Sequence, residues 1–262
     1  CGNDDALARL GGVAERFLMH DREIATRCDD SVARVVRGKP AVLRRARGYV
    51  PRGVAVIESF SEPVLACGAL LKNTFCVGMG DTAYLGPHIG DLDNLETYES
   101  YERAIETFEH FLGVTPGVIA HDIHPEYLST RYALKRPESL KIAVQHHHAH
   151  VASAMAEHRI EGSVIGVAFD GSGLGTDGTA WGGEVLLADY TRFERLATFR
   201  PIALAGGDLA IRQVWRQAIA LLDDALEGDT PIDRLPLFRH VPPGEIAVVR
   251  QMIAGRVNTT AA

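Results

Sequence analysis

The sequence has few cysteines, no long apolar run and no excess of basic residues. Each of these absences excludes a class of protein. Its four cysteines (Cys1, Cys28, Cys67 and Cys76) form no C-x-x-C pair. This excludes a disulfide-rich scaffold and a zinc knuckle, and predicts reduced, mostly packed thiols. No stretch approaches the roughly 18 uninterrupted apolar residues of a membrane-spanning helix. The first residues lack the basic head and apolar core of a signal peptide, so we expect a cytoplasmic protein.

The overall charge is acidic. The 262 residues carry 27 Lys and Arg against 34 Asp and Glu, which gives a formal net charge of −7. Such a balance argues against nucleic acid as a general partner and leaves only a local basic surface for that purpose. With 46 % hydrophobic and 23 % charged residues, the composition is that of an ordinary globular protein.

One basic segment interrupts this acidic chain. Residues 34–52 hold seven Lys or Arg and no acidic residue, and their Gly-Lys-Pro and Val-Pro turns favour extended chain over helix. We expect a domain junction near Gly48, which divides the chain into residues 1–48 and 49–262. The segment is either a solvated linker or a phosphate-facing strand between domains.

Apolar periodicity predicts an α/β fold for the remainder of the chain, because short β-rich runs alternate with longer helical patterns. The run Val64–Val77 is compatible with two strands joined by a tight turn. The predicted strands are Val54–Ile57, Val64–Leu71, Val118–Ala120, Ile142–Val144, Val164–Phe169 and Val185–Ala188. The predicted helices are Asp4–Phe17, Leu95–Leu112, Tyr127–Leu134, His146–His158, Leu209–Leu226 and Glu245–Ala254.

The densest chemical signal is a cluster of four histidines at a predicted strand-to-helix junction. In a helix that begins at His146, the side chains of His146 and His150 lie one turn apart, a spacing at which two imidazoles share one metal ion. Asp170, which follows an apolar strand, is the candidate third ligand. His147 and His148 point away from this pair and are candidate catalytic residues that face substrate. Imidazole and carboxylate ligands suit Zn and Fe equally, so the metal stays open between them.

Asp170 also begins a glycine-rich hairpin, which reads DGSGLGTDGTAWGGE. Backbone amides at glycines can approach phosphate oxygens closely, and valine in place of Gly173 and Gly175 is expected to block phosphate without disturbing the fold. The Gly-Lys-Ser/Thr ending of a P-loop is missing and a strand follows, a pattern typical of actin-like ATPases. A plain flexible turn is the alternative. The candidate phosphate-binding residues are Gly171, Ser172, Gly173, Gly175, Gly182 and Gly183.

Two weaker clusters accompany these motifs. Lys72 lies in the predicted turn of the Val64–Val77 hairpin, where it is either a phosphate-contacting, candidate catalytic lysine or an ordinary surface lysine. The string His121-Asp122-Ile123-His124-Pro125 closes a predicted strand and is a candidate to line the same cleft.

Taken together, the motifs resemble the hydrogenase-maturation carbamoyltransferase family (HypF), in the same order along the chain. The strings are ACGALLKNTFCVG, HIGDLDN, DIHPEYLST, QHHHAHVASAMAEH, FDGSGLGTDGTAWGGE and LAGGDLAIRQVWRQA. Upstream, HDREIATRCDDSVARV and RRARGYVPR resemble the end of that family's YrdC-like domain and the junction that follows it. The resemblance implies an actin-like (ASKHA, ribonuclease-H-like) mixed sheet with flanking helices, preceded by the tail of a YrdC-like α/β domain.

The resemblance also implies a chemistry. Carbamoyl phosphate and ATP form carbamoyl adenylate, and the carbamoyl group passes to the C-terminal cysteine of a HypE-like acceptor protein, where it becomes the cyanide ligand of [NiFe]-hydrogenase. His146 and His150 match the family's metal-binding histidines, Asp170 matches a third ligand, and the Gly171–Gly183 hairpin matches the nucleotide-phosphate loop. Further parts of the family's chain, including a final metal-binding aspartate, match nothing here. We therefore expect a fragment that is inactive alone.

Two other functions remain open at this point. A tRNA threonylcarbamoyl-transfer protein of the same superfamily would use the basic segment to contact RNA. A non-catalytic remnant would bind metal or a partner without turnover.

Overall fold

The computed structural model describes residues 2–22, 24, 26–138, 140–227 and 231–261. Within these ranges the helices are α1 (Asn3–Leu10), α2 (Leu95–Leu112), α3 (Leu128–Lys135), α4 (His146–His158), α5 (Asp208–Arg212), α6 (Val214–Ala225) and α7 (Pro243–Gly255). The strands are β1 (Val32–Val36), β2 (Lys39–Arg44), β3 (Val54–Ala66), β4 (Cys76–Leu85), β5 (Val118–Asp122), β6 (Leu140–Val144), β7 (Val164–Leu174), β8 (Ala180–Ala188), β9 (Phe193–Thr198), β10 (Ala203–Ala205) and β11 (Thr259–Ala261).

A four-stranded mixed sheet forms the first half of the fold. Its strand order is β4-β3-β5-β6; β3 and β4 are antiparallel, whereas β3, β5 and β6 are parallel. The register pairs Asp122, the last residue of β5, with Val144, the last residue of β6. Because α4 begins two residues after Val144, the sheet brings Asp122 and the histidine helix to the same edge, where open α/β sheets bind ligands.

Helix α2 packs into the core beside this sheet and supplies four of its buried residues, Tyr101, Ala104, Ile105 and Phe108. The helix begins at Asn94, whose side chain accepts a hydrogen bond from the Thr97 amide, and ends at Gly113 in the left-handed conformation. Tyr101 and Ile105 are fully buried beneath it, and the Phe75 ring meets the Tyr101 ring edge-on with a centroid separation of 6.3 Å. The predicted bounds of α2 are confirmed because both its periodicity and its two caps are local signals.

The second half contains an antiparallel sheet of order β7-β8-β9, against which α4 packs. Along β7, Gly166 and Ala168 are buried, whereas Ile165, Val167 and Phe169 are exposed. The small residues face the helix because space is short there: a Cβ on Gly166 would lie 2.4 Å from a Val151 methyl. This close approach sets the distance between the histidine helix and the strand that carries Asp170.

Several predicted boundaries are wrong, each for a local reason. Helix α1 ends at Leu10 before a pair of glycines, rather than continuing to Phe17. The predicted helix Leu209–Leu226 is split into α5 and α6 at Gln213, whose backbone leaves the helical region (φ −104°, ψ 80°). Residues 67–75 form a loop instead of the tight turn predicted between β3 and β4, although those strands do pair.

The basic segment is extended, as predicted. Strands β1 and β2 form an antiparallel hairpin whose turn at Arg37 and Gly38 has positive φ at both residues (51° and 77°). The domain boundary near Gly48 stays a prediction.

The three cysteines in the described ranges are free thiols; Cys67 is buried, whereas Cys28 and Cys76 are half-buried. Burial raises the pKa of Cys67 and of Cys76 to about 12, so both are protonated and unreactive at neutral pH. In the described part of the chain, none of the helices is long and apolar enough to cross a bilayer.

Candidate metal and phosphate site

Three side chains from two separate elements converge on one point. His146 and His150 lie one turn apart at the start of α4, and Asp170 faces them from β7. Asp170 Oδ2 lies 2.8 Å from His146 Nε2 and 3.4 Å from His150 Nε2, and the two Nε2 atoms are 3.2 Å apart. The structure therefore brings together the three residues that the sequence nominated as a metal-binding set.

Asp170 reaches the histidines because β7 is irregular at that position. The sequence predicts that this strand ends at Phe169, but in the structure it continues to Leu174. Its pairing with β8 passes from Phe169↔Gly183 to Gly173↔Trp181, so three residues of β7, Asp170 to Ser172, lie opposite Gly182 alone. This bulge, residues 170–172, directs the Asp170 carboxylate toward α4.

The donor set fits a divalent metal. Two imidazole nitrogens and one carboxylate oxygen lie within 4.8 Å of one another. Ligand atoms about 2.0–2.1 Å from a tetrahedral metal are separated by roughly 3.3 Å. The separations of 3.2 and 3.4 Å agree with this value, whereas the 2.8 Å between His146 Nε2 and Asp170 Oδ2 would lengthen when a metal binds. Such a set leaves a fourth position for substrate or water, and it is also compatible with the two-histidine, one-carboxylate sites of non-haem iron.

Asp122 orients the first histidine. His146 Nδ1 donates to Asp122 Oδ2 at 2.7 Å, and Asp122 Oδ1 accepts the His124 amide at 2.8 Å. The hydrogen bond to Asp122 raises the pKa of His146 and fixes the proton on Nδ1, which leaves Nε2 to face Asp170. The sequence predicts that the Asp122 string lines this cleft, but nothing in it indicates that Asp122 is the partner of His146. The parallel register of β5 and β6 was the missing signal.

The charge of Asp170 is stabilised by its neighbours. Burial raises the pKa of this carboxyl, but the Gly171 amide and the two histidines outweigh that effect and hold the pKa below its usual value. Asp170 is therefore ionised at neutral pH, as a metal ligand must be.

Substitution of Asp122 tests its orienting role. We expect Asp122→Ala to weaken Zn²⁺ binding by about 10–100-fold, because an unrestrained imidazole loses its preferred tautomer and ring orientation. Asp122→Asn, which keeps an acceptor oxygen, should restore part of the affinity. Chelator competition measures the affinity, and Asp91→Ala, a change at a carboxylate that accepts the Lys72 amide, is the control. Equal affinity in Asp122→Ala and the parent would contradict this role.

His147 and His148 do not face an open substrate space. Both rings are buried, and their Nε2 atoms donate to the carbonyl oxygens of Gly182 (3.1 Å) and Asp189 (2.7 Å). The Gln145 side-chain amide donates to His147 Nδ1, and burial lowers the pKa of His147, so this ring is neutral. The structure thus corrects the expectation that the pair points toward substrate: both side chains attach α4 to β8 and the turn that follows it.

The glycines of the hairpin divide into two groups. A Cβ on Gly173 would lie 2.9 Å from His146 Cβ. A Cβ on Gly175 would lie 2.0 Å from Trp181 Nε1, and a Cβ on Gly183 would lie 2.2 Å from the Phe199 ring. A Cβ on Gly171 would have nothing within 4 Å, and a Cβ on Gly182 would meet only the Asp170 carbonyl oxygen, at 3.5 Å. The first group is required for packing, which corrects the expectation that valine at Gly173 and Gly175 spares the fold.

Backbone amides in the hairpin are already in use. The Gly171 amide donates to Asp170 Oδ1, the Gly175 amide to the Thr179 carbonyl oxygen and the Gly182 amide to Glu184 Oε1. Phosphate contact at these glycines would exchange those hydrogen bonds, whereas Ser172, within the bulge, carries a hydroxyl as a further donor.

Lys72 lies in the loop between β3 and β4. Its backbone has a positive φ of 48°, and its amide donates to Asp91 Oδ1 at 2.7 Å. Its role as a phosphate-contacting residue stays a prediction.

Two models of one protein family match this chain. Residues 59–157 match the HypF Kae1-like domain, and residues 166–262 match the second subdomain of the carbamoyltransferase Kae1-like domain. Among curated relatives, carbamoyltransferase HypF2 of Cupriavidus necator is 44 % identical over 98 % of this chain and 32 % of its own length. Carbamoyltransferase HypF of Rhizobium leguminosarum bv. viciae is 42 % identical over 98 % of this chain and 33 % of its own.

Solved structures agree with the sequence matches. A crystal structure of full-length HypF in the phosphate- and nucleotide-bound form superposes with a TM-score of 0.89 and 40 % identity, over 99 % of this chain and 40 % of that one. The crystal structure of T. kodakarensis HypF superposes with a TM-score of 0.85 and 36 % identity, over 99 % of this chain and 35 % of that one. These matches confirm the expected actin-like (ASKHA) fold class, and the family models describe both matched regions as Kae1-like. The chain spans about a third of the length of the curated relatives it matches.

Proposed function

Because the chain belongs to the HypF carbamoyltransferase family, we propose that it contributes the metal and phosphate site of a hydrogenase-maturation carbamoyltransferase. The reaction proposed is the formation of carbamoyl adenylate from carbamoyl phosphate and ATP, followed by transfer of the carbamoyl group to the C-terminal cysteine of a HypE-like acceptor protein. The product is the precursor of the cyanide ligand of [NiFe]-hydrogenase. We place this reaction in the cytoplasm, in line with the sequence expectation.

The observation that supports this function best is the convergence of His146, His150 and Asp170 at the bulge where the glycine hairpin begins. Both small-molecule substrates are polyanions, so the chemistry needs positive charge and hydrogen-bond donors at developing phosphate charge. The three ligands would hold a divalent metal, Zn or Fe, which supplies that charge. The adjoining bulge offers the donors.

The remaining residues of the site have distinct tasks. Asp122 holds the proton on His146 Nδ1, and the Gly171 amide and the histidines keep Asp170 ionised. Gly171 and Gly182 leave space beside the bulge, so a phosphate can approach the backbone there without a side chain in the way. His147 keeps the bulge and α4 together through the Gly182 carbonyl oxygen.

Exchange of pyrophosphate into ATP, dependent on carbamoyl phosphate, tests the proposal in the full-length protein that carries these residues. We expect Gly171→Val to reduce exchange by about a hundred-fold, since a side chain there displaces phosphate from its donors. Gly244→Val, at a helical glycine that also has nothing within 4 Å, is the matched control. Equal exchange in both variants would overturn the phosphate assignment.

Two other results would favour the alternative functions. Metal binding without any exchange in the parent protein would support a non-catalytic remnant. A salt-dependent shift of tRNA, without exchange, would support a threonylcarbamoyl-transfer protein.

A further inference from the structure

We propose that the ion pair of the buried Glu184 with the partly exposed Arg195 is a positioning brace, which holds the bulge at residues 170–172 against helix α4. The inference rests on the proposed metal site, because the brace keeps the Asp170 carboxylate in line with His146 and His150. Among the hydrogen bonds and ion pairs of the described residues, neither Glu184 nor Arg195 contacts those three ligands, so both residues act through others.

Glu184 is fully buried and fully partnered. Its carboxylate accepts Arg195 Nε at 2.6 Å and Arg195 Nη2 at 3.1 Å, a two-point contact. The same carboxylate accepts the Gly182 amide at 3.1 Å and the Thr198 hydroxyl at 3.2 Å. Four donors thus converge on one buried side chain in the middle of β8.

Gly182 connects this pair to the metal-binding helix. Its amide donates to Glu184, and its carbonyl oxygen accepts His147 Nε2 at 3.1 Å, so the residue is held from both sides. Gly182 is also the single residue of β8 that lies opposite the three-residue bulge. A continuous series of contacts therefore leads from Glu184 through Gly182 to His147, which is adjacent to His146.

Arg195 holds the other end of the hairpin. Its Nη1 bonds Asp177 Oδ2 at 3.2 Å, and its guanidinium lies 4.2 Å from the centroid of the Trp181 ring. Asp177 in turn accepts Trp181 Nε1 at 3.0 Å and the Thr179 amide at 3.0 Å, which close the turn between β7 and β8. One arginine thus links the turn, the indole and the buried carboxylate.

An ion pair with one fully buried partner is a poor source of stability, because the cost of removing that charge from water offsets the attraction between the partners. An apolar pair of similar size at the same place often folds as well or better. The directional hydrogen bonds of Glu184 provide what an apolar pair lacks, namely a fixed orientation for the Gly182 peptide. Stability and positioning can therefore be separated by experiment.

The first test uses the metal-free 262-residue chain. Glu184→Gln keeps an oxygen for the Gly182 amide but removes the charge opposite Arg195. We expect hydrogen exchange at residues 170–172 and 182 to accelerate by about ten-fold. The control is Asp223→Asn, which breaks the similar two-point contact of Arg250 with Asp223 (2.7 and 2.8 Å) outside the site. The brace is overturned if hydrogen exchange at the bulge accelerates in neither variant, or if it accelerates equally in Glu184→Gln and Asp223→Asn.

The second test separates positioning from stability through Zn²⁺ affinity. In the apolar double variant Glu184→Leu/Arg195→Met, we expect thermal stability close to the parent but Zn²⁺ affinity reduced by about ten-fold. If the double variant has both the thermal stability and the Zn²⁺ affinity of the parent, the ion pair is merely structural and the proposal is overturned. If the double variant does not fold, Arg195→Lys, which keeps the charge but loses the two-point contact, is measured in its place with the same expected loss.

Failure of the metal site and failure of the brace give different results. A parent chain that binds no Zn²⁺ refutes the proposed metal site, whereas the exchange experiment still decides whether the ion pair holds the bulge. If the parent binds Zn²⁺ and every Glu184 and Arg195 variant binds it with the same affinity, the brace is overturned but the metal site is not.

Discussion

Replacement of His146 and His150 together by alanine is expected to reduce bound Zn²⁺ from about one ion per chain to none. Two of the three ligand atoms that lie within 4.8 Å of one another are then lost, and a single carboxylate does not retain the metal against dialysis. Mass spectrometry of the loaded and dialysed 262-residue chain measures the stoichiometry.

His158→Ala is the matched control for this experiment. His158 is the last residue of the same helix, about two turns beyond His150, so its removal changes the histidine content of α4 without removing a ligand. Equal metal content in the double variant and the parent would contradict the metal assignment, whatever the activity of the full-length protein.

Valine at Gly173 is expected to destabilise the chain by about 1–3 kcal/mol, because the added atoms enter space occupied by the first turn of α4. Even a Cβ at this position would lie 2.9 Å from His146 Cβ and 2.9 Å from His147 Cε1. Gly175→Val should be at least as harmful, since its Cβ would lie 2.0 Å from Trp181 Nε1. Urea denaturation followed by circular dichroism measures the loss.

Gly171→Val is the control for steric destabilisation, because that glycine lies in the same bulge with nothing within 4 Å. It should unfold at nearly the same urea concentration as the parent. A Gly173→Val variant of parental stability would show that the helix and strand can separate locally, and would restore the simpler view that this glycine serves phosphate alone.

Local patterns were sufficient for much of the fold. The bounds of α2 and α4 follow from apolar periodicity and from residues adjacent in sequence, such as the Asn94 cap and the Gln145 side chain that accepts the His148 amide. The spacing of His146 and His150 on one helical face is equally local. Where a break depends on backbone geometry, as at Gln213, periodicity continued the helix too far.

The helix that pairs His146 with His150, the glycine hairpin and the choice of Asp170 as third ligand all follow from local sequence patterns. Which further groups act on these residues depends on contacts between elements that are distant in sequence. The register of parallel β5 and β6 brings Asp122 to His146, and the bulge opposite Gly182 directs Asp170 toward α4. The close packing of α4 on β7 turns Gly173 into a packing residue and buries His147. These relations join residues that are not neighbours in sequence, such as Asp122 and His146, which are 24 positions apart. They carry no periodic signal, because they are set by strand pairing and by the contact of a helix with a sheet.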